Sequence, residues 1–550
     1  MGFKKNSTPL YVAEFPLVTE KWQDDLLDKW FSHINYLKNI LIGMNKNVIK
    51  NSKNKLDEIN ELNKEIYALK KKKYLSIEEK KRKSYCETKR CEIQNSITTD
   101  DVEGLVEYPK STPLFSEFGQ VGVADKLLKL PVGGKDVNGH SLDFTSIFPP
   151  VTTKITHIIG KDIYASLEDY FYGKGKDLHF KNKKDNNAIK FFYNENIDKF
   201  CKIDKINNTI TFSKSYGLNK GKKMVMPFKR NKKHVYEDKV LGSTIKQVAI
   251  AKKLIRGKEK YYLQLSVEGI PYNKGVERGE GTIGVDPGTS KVTCYGKTII
   301  QYKSPEDVVK LEYKIAELSR SLDRKRRMTN PNKYNEDGTI KKGNYDKWIE
   351  TKNYIKDRNK LHELQRKSAT KKKIVQLEYI NRLISEGNKL VIEDNDISGW
   401  AKRKKETEVK ENGKCTSKKR YGKSVIFSAP SQFLTLLKNK FKMVYGNDNV
   451  YMVDQKNAKA TGTDFTKIKS DINFNEHNTD KNLYYTHVKV GVSKIKLSDG
   501  HVHHRDALAA FNLKNWDPVK KEYKIKEMRE DYINFCKEEN KAIETGEISF

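Results

Sequence analysis

The sequence predicts a multidomain α/β protein, and three observations carry that prediction. At 550 residues the chain exceeds one ordinary hydrophobic core, so two to four domains are expected. Apolar periodicity shifts from helical spacing early in the chain to strand-like runs between about 187 and 272. Beyond about 280, apolar strands deliver acids to their ends: Thr282-Ile-Gly-Val-Asp286 and Lys389-Leu-Val-Ile-Glu393.

Taken in order, residues 10–19 read as a strand, followed by helical spacing through Trp22, Leu26, Leu27, Trp30 and Ile34. Leu56, Ile59, Leu62, Ile66 and Leu69 repeat with Lys and Glu between them, as in a short coiled-coil-like hairpin arm. Pro and Gly punctuate 105–150, which reads as loops with short helices. Runs at 188–193, 209–212, 248–254 and 261–267 are strand-like, with Asn207-Asn and Arg256-Gly-Lys as turn signals. They suggest a small, basic β-barrel or sheet domain. A long basic helical stretch covers roughly 305–385, and a second basic loop spans 401–423.

Lys and Arg outnumber Asp and Glu by 107 to 72, a formal charge of +35. That excess calls for a polyanionic partner. Nucleic acid is favoured over membrane, because no run of about 18 apolar residues is present. The polar start, Met1-Gly-Phe-Lys-Lys-Asn6, lacks a secretory leader and a myristoylation pattern, so an intracellular, cytoplasmic protein is expected. The cysteines, at 86, 91, 201, 294, 415 and 536, are too scattered for a disulfide framework and form no Cys-x-x-Cys pair. No zinc is expected.

Asp286 and Glu393 end strands, and Asp506 opens a helix in His504-Arg-Asp506-Ala-Leu-Ala-Ala-Phe-Asn512. If their elements lie side by side, three carboxylates converge as hard oxygen ligands for a pair of divalent cations, expected to be Mg²⁺. Such ions activate a water and stabilise the leaving oxygen of a phosphodiester. Each acid also has a plainer reading. Asp286-Pro-Gly makes a common turn, Asp506 suits an N-cap, and Asp394 and Asp396 compete with Glu393. His501, His503 and His504 read as a polar turn beside the last acid, and Tyr421-Gly-Lys-Ser424 lacks the first Gly and the strand of a P-loop. Arg324, Lys325, Arg326 and Arg327, beside an Asn-rich loop, are candidate phosphate contacts. Lys418, Lys419 and Arg420 in the second basic loop are further candidates for nucleic-acid contact.

The order Val-Asp286-Pro-Gly, Val-Ile-Glu393-Asp, Arg-Asp506-Ala-Leu-Ala-Ala-Phe resembles the split RuvC nuclease of TnpB (OrfB) proteins of insertion sequences, a nuclease shared with type V CRISPR effectors. Leu322-Asp-Arg-Lys-Arg-Arg-Met-Thr-Asn-Pro-Asn332, Tyr334-Asn-Glu-Asp-Gly338, Arg420-Tyr-Gly-Lys-Ser424 and Phe433-Leu-Thr-Leu-Leu-Lys438 add to the likeness, which covers about 280–515. The resemblance implies an RNase H-like (RuvC) domain split in sequence, a β-barrel wedge domain and a helical recognition domain. It assigns 1–20 and 186–279 to the wedge and 21–185 to the recognition domain. It assigns 280–400 and 425–515 to the nuclease, with 401–424 as a basic loop, an insert at about 458–500 and a helical tail at 516–550. It implies an RNA-guided DNA endonuclease, with a guide RNA and double-stranded target DNA as partners and a short flanking motif read by the protein. Asp286, Glu393 and Asp506 become the catalytic, metal-binding set, with Arg505 a phosphate contact. One departure stands out: many relatives carry a four-cysteine zinc ribbon between the second and third acids, where this chain has only Cys415. Two other readings stay open, an unguided RNase H-like recombinase or transposase and a nuclease-inactive RNA-guided binder.

Overall fold

In the computed structural model, alternation and turn chemistry explain the strands, and amphipathic spacing explains the helices. The structure describes residues 8–70, 75–98, 114–128, 153–171, 177–182, 187–195, 200–212, 223–231, 235–271, 276–336, 339–341, 343, 346–402, 421–467, 488–489 and 493–549. The chain divides into two compact units, Met1–Tyr272 and Asn273–Phe550.

In the first unit, β1 (Leu10–Pro16) alternates exposed and buried residues and is followed by α1 (Lys21–Asn51). Helix α1 buries Leu26, Leu27, Trp30, Phe31, Ile34, Leu37 and Leu41, the stripe that its spacing predicts. Helices α2 (Lys53–Lys70) and α3 (Ile77–Ser96) form the expected arm. Leu56, Ile59, Leu62 and Ile66 are buried on α2, with Cys86 on α3, and Arg82 grips Glu65 at 2.7 and 3.0 Å. Ser76 and Glu79 close a capping box at the start of α3. Helices α4 (Glu117–Leu128) and α5 (Thr153–Phe171) follow, packed on each other. Within the segment expected to be loops, 105–113 and 129–150 lie outside the described residues, while α4 is longer than a short helix.

The β-rich region contributes β2 (Ala188–Phe192), β3 (Cys201–Asp204), β4 (Thr209–Phe212), β5 (Met224–Pro227), α6 (Val235–Gly242), β6 (Ile245–Ile255) and β7 (Lys258–Glu268). Arg256 and Gly257, both at positive φ, turn β6 into β7. The strands make two open antiparallel sheets, β1-β7-β6-β2 and β3-β4-β5, joined by a bridge between Leu17 and Phe228. The expected barrel is therefore corrected: among the described residues no sheet closes on itself. Its strands split because β3, β4 and β5 are each only four residues long and pair among themselves.

The second unit is built on a five-stranded sheet of β8 (Thr282–Pro287), β9 (Lys291–Tyr295), β10 (Ile299–Lys303), β11 (Lys389–Asp394) and β12 (Val450–Asp454). Their order is β10-β9-β8-β11-β12: β8, β9 and β10 are antiparallel, while β11 lies parallel to both β8 and β12. Helices α7 (Glu306–Thr329) and α8 (Lys352–Glu386) fill the expected basic helical stretch between β10 and β11, packing together as a hairpin that breaks at Thr329, where the polar loop begins. Short α9 (Ile397–Trp400), α10 (Gly422–Ser428) and α11 (Pro430–Tyr445) lead to β12, and α12 (Gln455–Ala458) follows it. A small sheet of β13 (Val488–Lys489), β14 (Lys494–Lys496) and β15 (Val502–His504) precedes α13 (Arg505–Lys514). The hairpin of β16 (Trp516–Asp517) and β17 (Glu522–Tyr523) leads into α14 (Ile525–Glu544).

Alternation along β8 and β11 divides the core into two layers. Ile283, Val285, Leu390 and Ile392 pack with Ile380, Leu383 and Ile384 of α8 and with Phe433, Leu437 and Phe441 of α11. On the other face Val391 and Val453 pack with Ala507, Ala510, Phe511 and Leu513 of α13 and with Met528, Phe535 and Ala542 of α14.

Candidate active site

The sheet order makes the carboxyl ends of β8 and β11 a switch point: the chain leaves β8 toward β9 and β10, then returns on the other side as β11. Open α/β sheets bind ligands at such points. The last paired residues are Val285 and Ile392, so Asp286 and Glu393 stand side by side one step beyond. Both follow the parity of Gly284 and Val391, the layer occupied by α13. That helix packs against β8, β9 and β11 and carries Asp506 in its first turn.

Gly284 sets how closely α13 lies on β8. A Cβ there would stand 2.0 Å from the Ala510 carbonyl oxygen and 2.4 Å from the Lys514 nitrogen. The turn after Asp286 is equally tight. Gly288 N donates to the Lys291 carbonyl at 2.9 Å, and the buried Ser428 Oγ donates to the Thr289 carbonyl at 2.9 Å.

The N-cap role considered for Asp506 belongs to His504, whose Nδ1 accepts from Ala507 N at 3.4 Å. Burial holds the His504 imidazole below its usual range, against the pull of Asp506, which suits an uncharged acceptor. Asp506 instead takes Arg505, with Nη2 at 2.7 Å and Nε at 2.8 Å from Oδ1. Arg505 is thus engaged with the third acid. Asp396 caps α9 through Gly399 N, and its hydrogen bond from Ser398, with the Gly399 bond second, holds its carboxyl below the usual range. Asp394 is exposed.

Glu393 is 3 % exposed. Its Oε2 accepts from Asn395 Nδ2 at 2.9 Å, while the same amide donates to the Pro287 carbonyl at 3.3 Å. Its Oε1 is buried with no hydrogen-bond partner, a costly arrangement for a carboxylate. Burial pushes the Glu393 carboxyl up, opposed by Asn395. Asp286 is raised well above the usual carboxylate range, first by burial and then by the like charges of Asp506 and Glu393, with Arg505 opposing. The fields of three acids therefore meet at Asp286. As they stand, no three His, Cys, Asp or Glu side chains among the described residues are close enough to hold one ion. The donor set still fits a hard divalent cation, because a buried orphan carboxylate oxygen and like-charged neighbours are both relieved by positive charge.

Sequence reasoning missed Asn395, although it shares strand parity with Glu393. It also missed the support behind His503 and His504, which are not a polar turn: they are 2 % and 1 % exposed. The His503 ring bridges Glu539 at 2.6 Å and the Tyr532 hydroxyl at 2.7 Å, and Glu539 also accepts from His504 N at 2.6 Å. No local signal links Glu539 to residue 504. Tyr421-Gly-Lys-Ser424 lies at the start of α10, not in a phosphate-binding loop.

The basic run is largely committed within the chain. Lys325 pairs with Asp357, and Arg326 and Arg327 both reach Asp323, at 3.2 and 2.9 Å. Arg324 is exposed. Lys418, Lys419 and Arg420 lie outside the described residues, as do 468–487 and 490–492 of the expected insert.

No family model matches the chain, and no curated protein matches it. Among solved structures it is similar to Cas12f1 in its sgRNA–target DNA complex, with a TM-score of 0.41 and 13 % identity over 92 % of this chain and 99 % of that one. A second likeness is to Cas12i1 in its R-loop complex after target DNA cleavage, at TM-score 0.30 and 9 % identity over 91 % of this chain and 71 % of that one. A third is to the mini-RNA-guided endonuclease CRISPR-Cas phi3, at TM-score 0.27 and 12 % identity over 56 % of this chain and 57 % of that one.

Proposed function

We propose that the chain is an RNA-guided, divalent-metal-dependent DNA endonuclease whose RNase H-like (RuvC) nuclease lies in the second unit. The observation that carries this reading is the shared layer of Asp286, Glu393 and the helix bearing Asp506, at the switch point of a β10-β9-β8-β11-β12 sheet. Asp286, Glu393 and Asp506 would hold magnesium, which when bound supplies Lewis acidity and an activated water. Asn395 positions Glu393, and the His504 cap sets the start of the helix that presents Asp506. Arg505 neutralises Asp506 in the metal-free protein and is a guanidinium that could turn to a DNA phosphate once Asp506 takes up metal. A guide RNA would supply sequence recognition, leaving a +35 chain to hold two backbones through charge and shape. The TnpB-like motifs support reading it as a transposon-encoded or type V-like nuclease.

The test is to purify the protein from cells carrying its native flanking DNA, sequence the RNA that co-purifies, and assay cleavage of matching duplex DNA with magnesium. Asp286→Ala, Glu393→Ala and Asp506→Ala should each lower cutting by about 10³-fold or more while target binding persists. Cutting that survives these substitutions would move the active site elsewhere. Only random cellular RNA would favour an unguided enzyme.

A further inference from the structure

The tip of the α7–α8 hairpin is a built structure about 36 Å of helix away from the sheet, given α7's 24 residues. Asn330 acts there as a surrogate strand partner. Its Oδ1 accepts from Ile349 N at 2.8 Å, and its Nδ2 donates to the carbonyls of Ile349 and Arg326 at 3.0 and 3.1 Å. Lys333, buried, donates to the Asp346 carbonyl, and Tyr334 packs edge-on to Trp348 at 5.9 Å.

This scaffold frames a cavity of about 160 Å³ lined by Arg326, Trp348, Ile349, Glu350 and Tyr354. Two of its apolar walls face water: Trp348 is 37 % and Ile349 65 % exposed. Two cations lie over the Trp348 ring, Arg326 at 5.2 Å and Lys333 at 5.0 Å. Arg326 Nε and the Tyr334 hydroxyl are buried without hydrogen-bond partners, which is uncommon in a folded interior. The cavity thus sets exposed aromatic surface beside the Arg326 guanidinium, with the Glu350 carboxylate on its wall paired to Arg358. A free phosphate would use the charge but not the rings; an apolar peptide would use the rings but not the N–H groups that Arg326 keeps beyond its contact with Asp323.

We propose that this cavity receives one unstacked nucleobase of a single-stranded nucleic acid. The base would lie against Trp348 and Tyr354, and a base carbonyl would accept from Arg326. Unpaired bases are recognised in this way, by stacking on aromatic and guanidinium planes with hydrogen bonds to the freed edge. A duplex does not fit, because its bases are stacked and their pairing edges occupied. The chemistry is shared by a guide-RNA loop and by a displaced DNA strand. The inference goes beyond the nuclease reading and stands without catalysis.

Full-length protein in metal-free buffer would be photo-cross-linked to single strands of about 12 nucleotides, one RNA bearing 4-thiouridine and one DNA bearing 4-thiothymidine, at about 200 mM salt to suppress charge-only binding. Adducts are expected on Trp348 or Tyr354. Their presence with RNA alone would name a guide-like source, and with DNA alone a target strand. Trp348→Ala should weaken binding of the cross-linking strand about 5- to 20-fold, while Trp348→Phe keeps it within about 3-fold. Circular dichroism would check that both variants stay folded. Adducts confined to other segments, or wild-type affinity in Trp348→Ala, would overturn the proposal.

Discussion

Two carboxyls carry an electrostatic load that metal would remove. Asp286 and Glu393 are both raised, chiefly by burial, and Asp286 also by its acidic neighbours. A raised folded-state value means that the folded protein keeps protons which the unfolded chain releases. Stability is therefore lost as pH climbs from the ordinary carboxylate value of about 4 through the raised ones. Metal-free protein should show a falling Tm across that window. Asp286→Asn, uncharged at that position, should raise the metal-free Tm near neutral pH by about 2–4 °C and blunt the rise that magnesium gives the wild type. A lower Tm with an undiminished magnesium response would place the ion away from Asp286. The residues of this site were legible only in part. Strand ends made Asp286 and Glu393 candidates, and a position near a helix start made Asp506 one. Asn395 escaped because an amide after two acids carries no pattern of its own, and Arg505 changes role because its nearest charge is the acid beside it.

At the scale of elements, the seat of α13 on β8 sets the spacing between two of the acids. Gly284 is the point of closest approach, and the atoms that a methyl group would meet are backbone ones. Gly284→Ala should destabilise the second unit by about 1–3 kcal/mol, read as a lower urea midpoint at unchanged slope. A midpoint equal to the wild type would mean that α13 is not seated there. Long strands were readable because alternation has room to repeat, as in Lys258–Glu268. Cys201–Asp204 and Met224–Pro227 were missed although Thr209–Phe212, equally short, was read: Thr209-Ile-Thr-Phe212 is wholly β-branched or aromatic, whereas the other two carry Lys and Asp or Met and Pro. The barrel expectation failed for a related reason. Periodicity tells which face of a strand is buried but not which neighbour it pairs with. The same gap left the meeting of the acids conditional in the sequence, because the placing of Asp286 beside Glu393 depends on β11 pairing with β8.

Across the whole molecule, the formal charge of +35 dominates any encounter with a polyanion. Affinity for a labelled duplex without a matching sequence should fall about 10³-fold or more between about 50 and 200 mM salt. Fluorescence anisotropy would measure it, and a flat salt response would contradict phosphate-driven binding. None of the described helices is long and apolar enough to cross a membrane. The two units are separately cored, and the nuclease candidate sits wholly in the second. Within that unit the contact between Glu539 and the backbone of His504 has a temporal meaning. A chain emerging from the ribosome exposes Asp286 and Glu393 long before α14 is made. The third acid acquires its support only when residue 539 docks beside residue 503. In order of synthesis, therefore, the candidate site has its strand acids first and gains the brace behind its third acid only once α14 has followed.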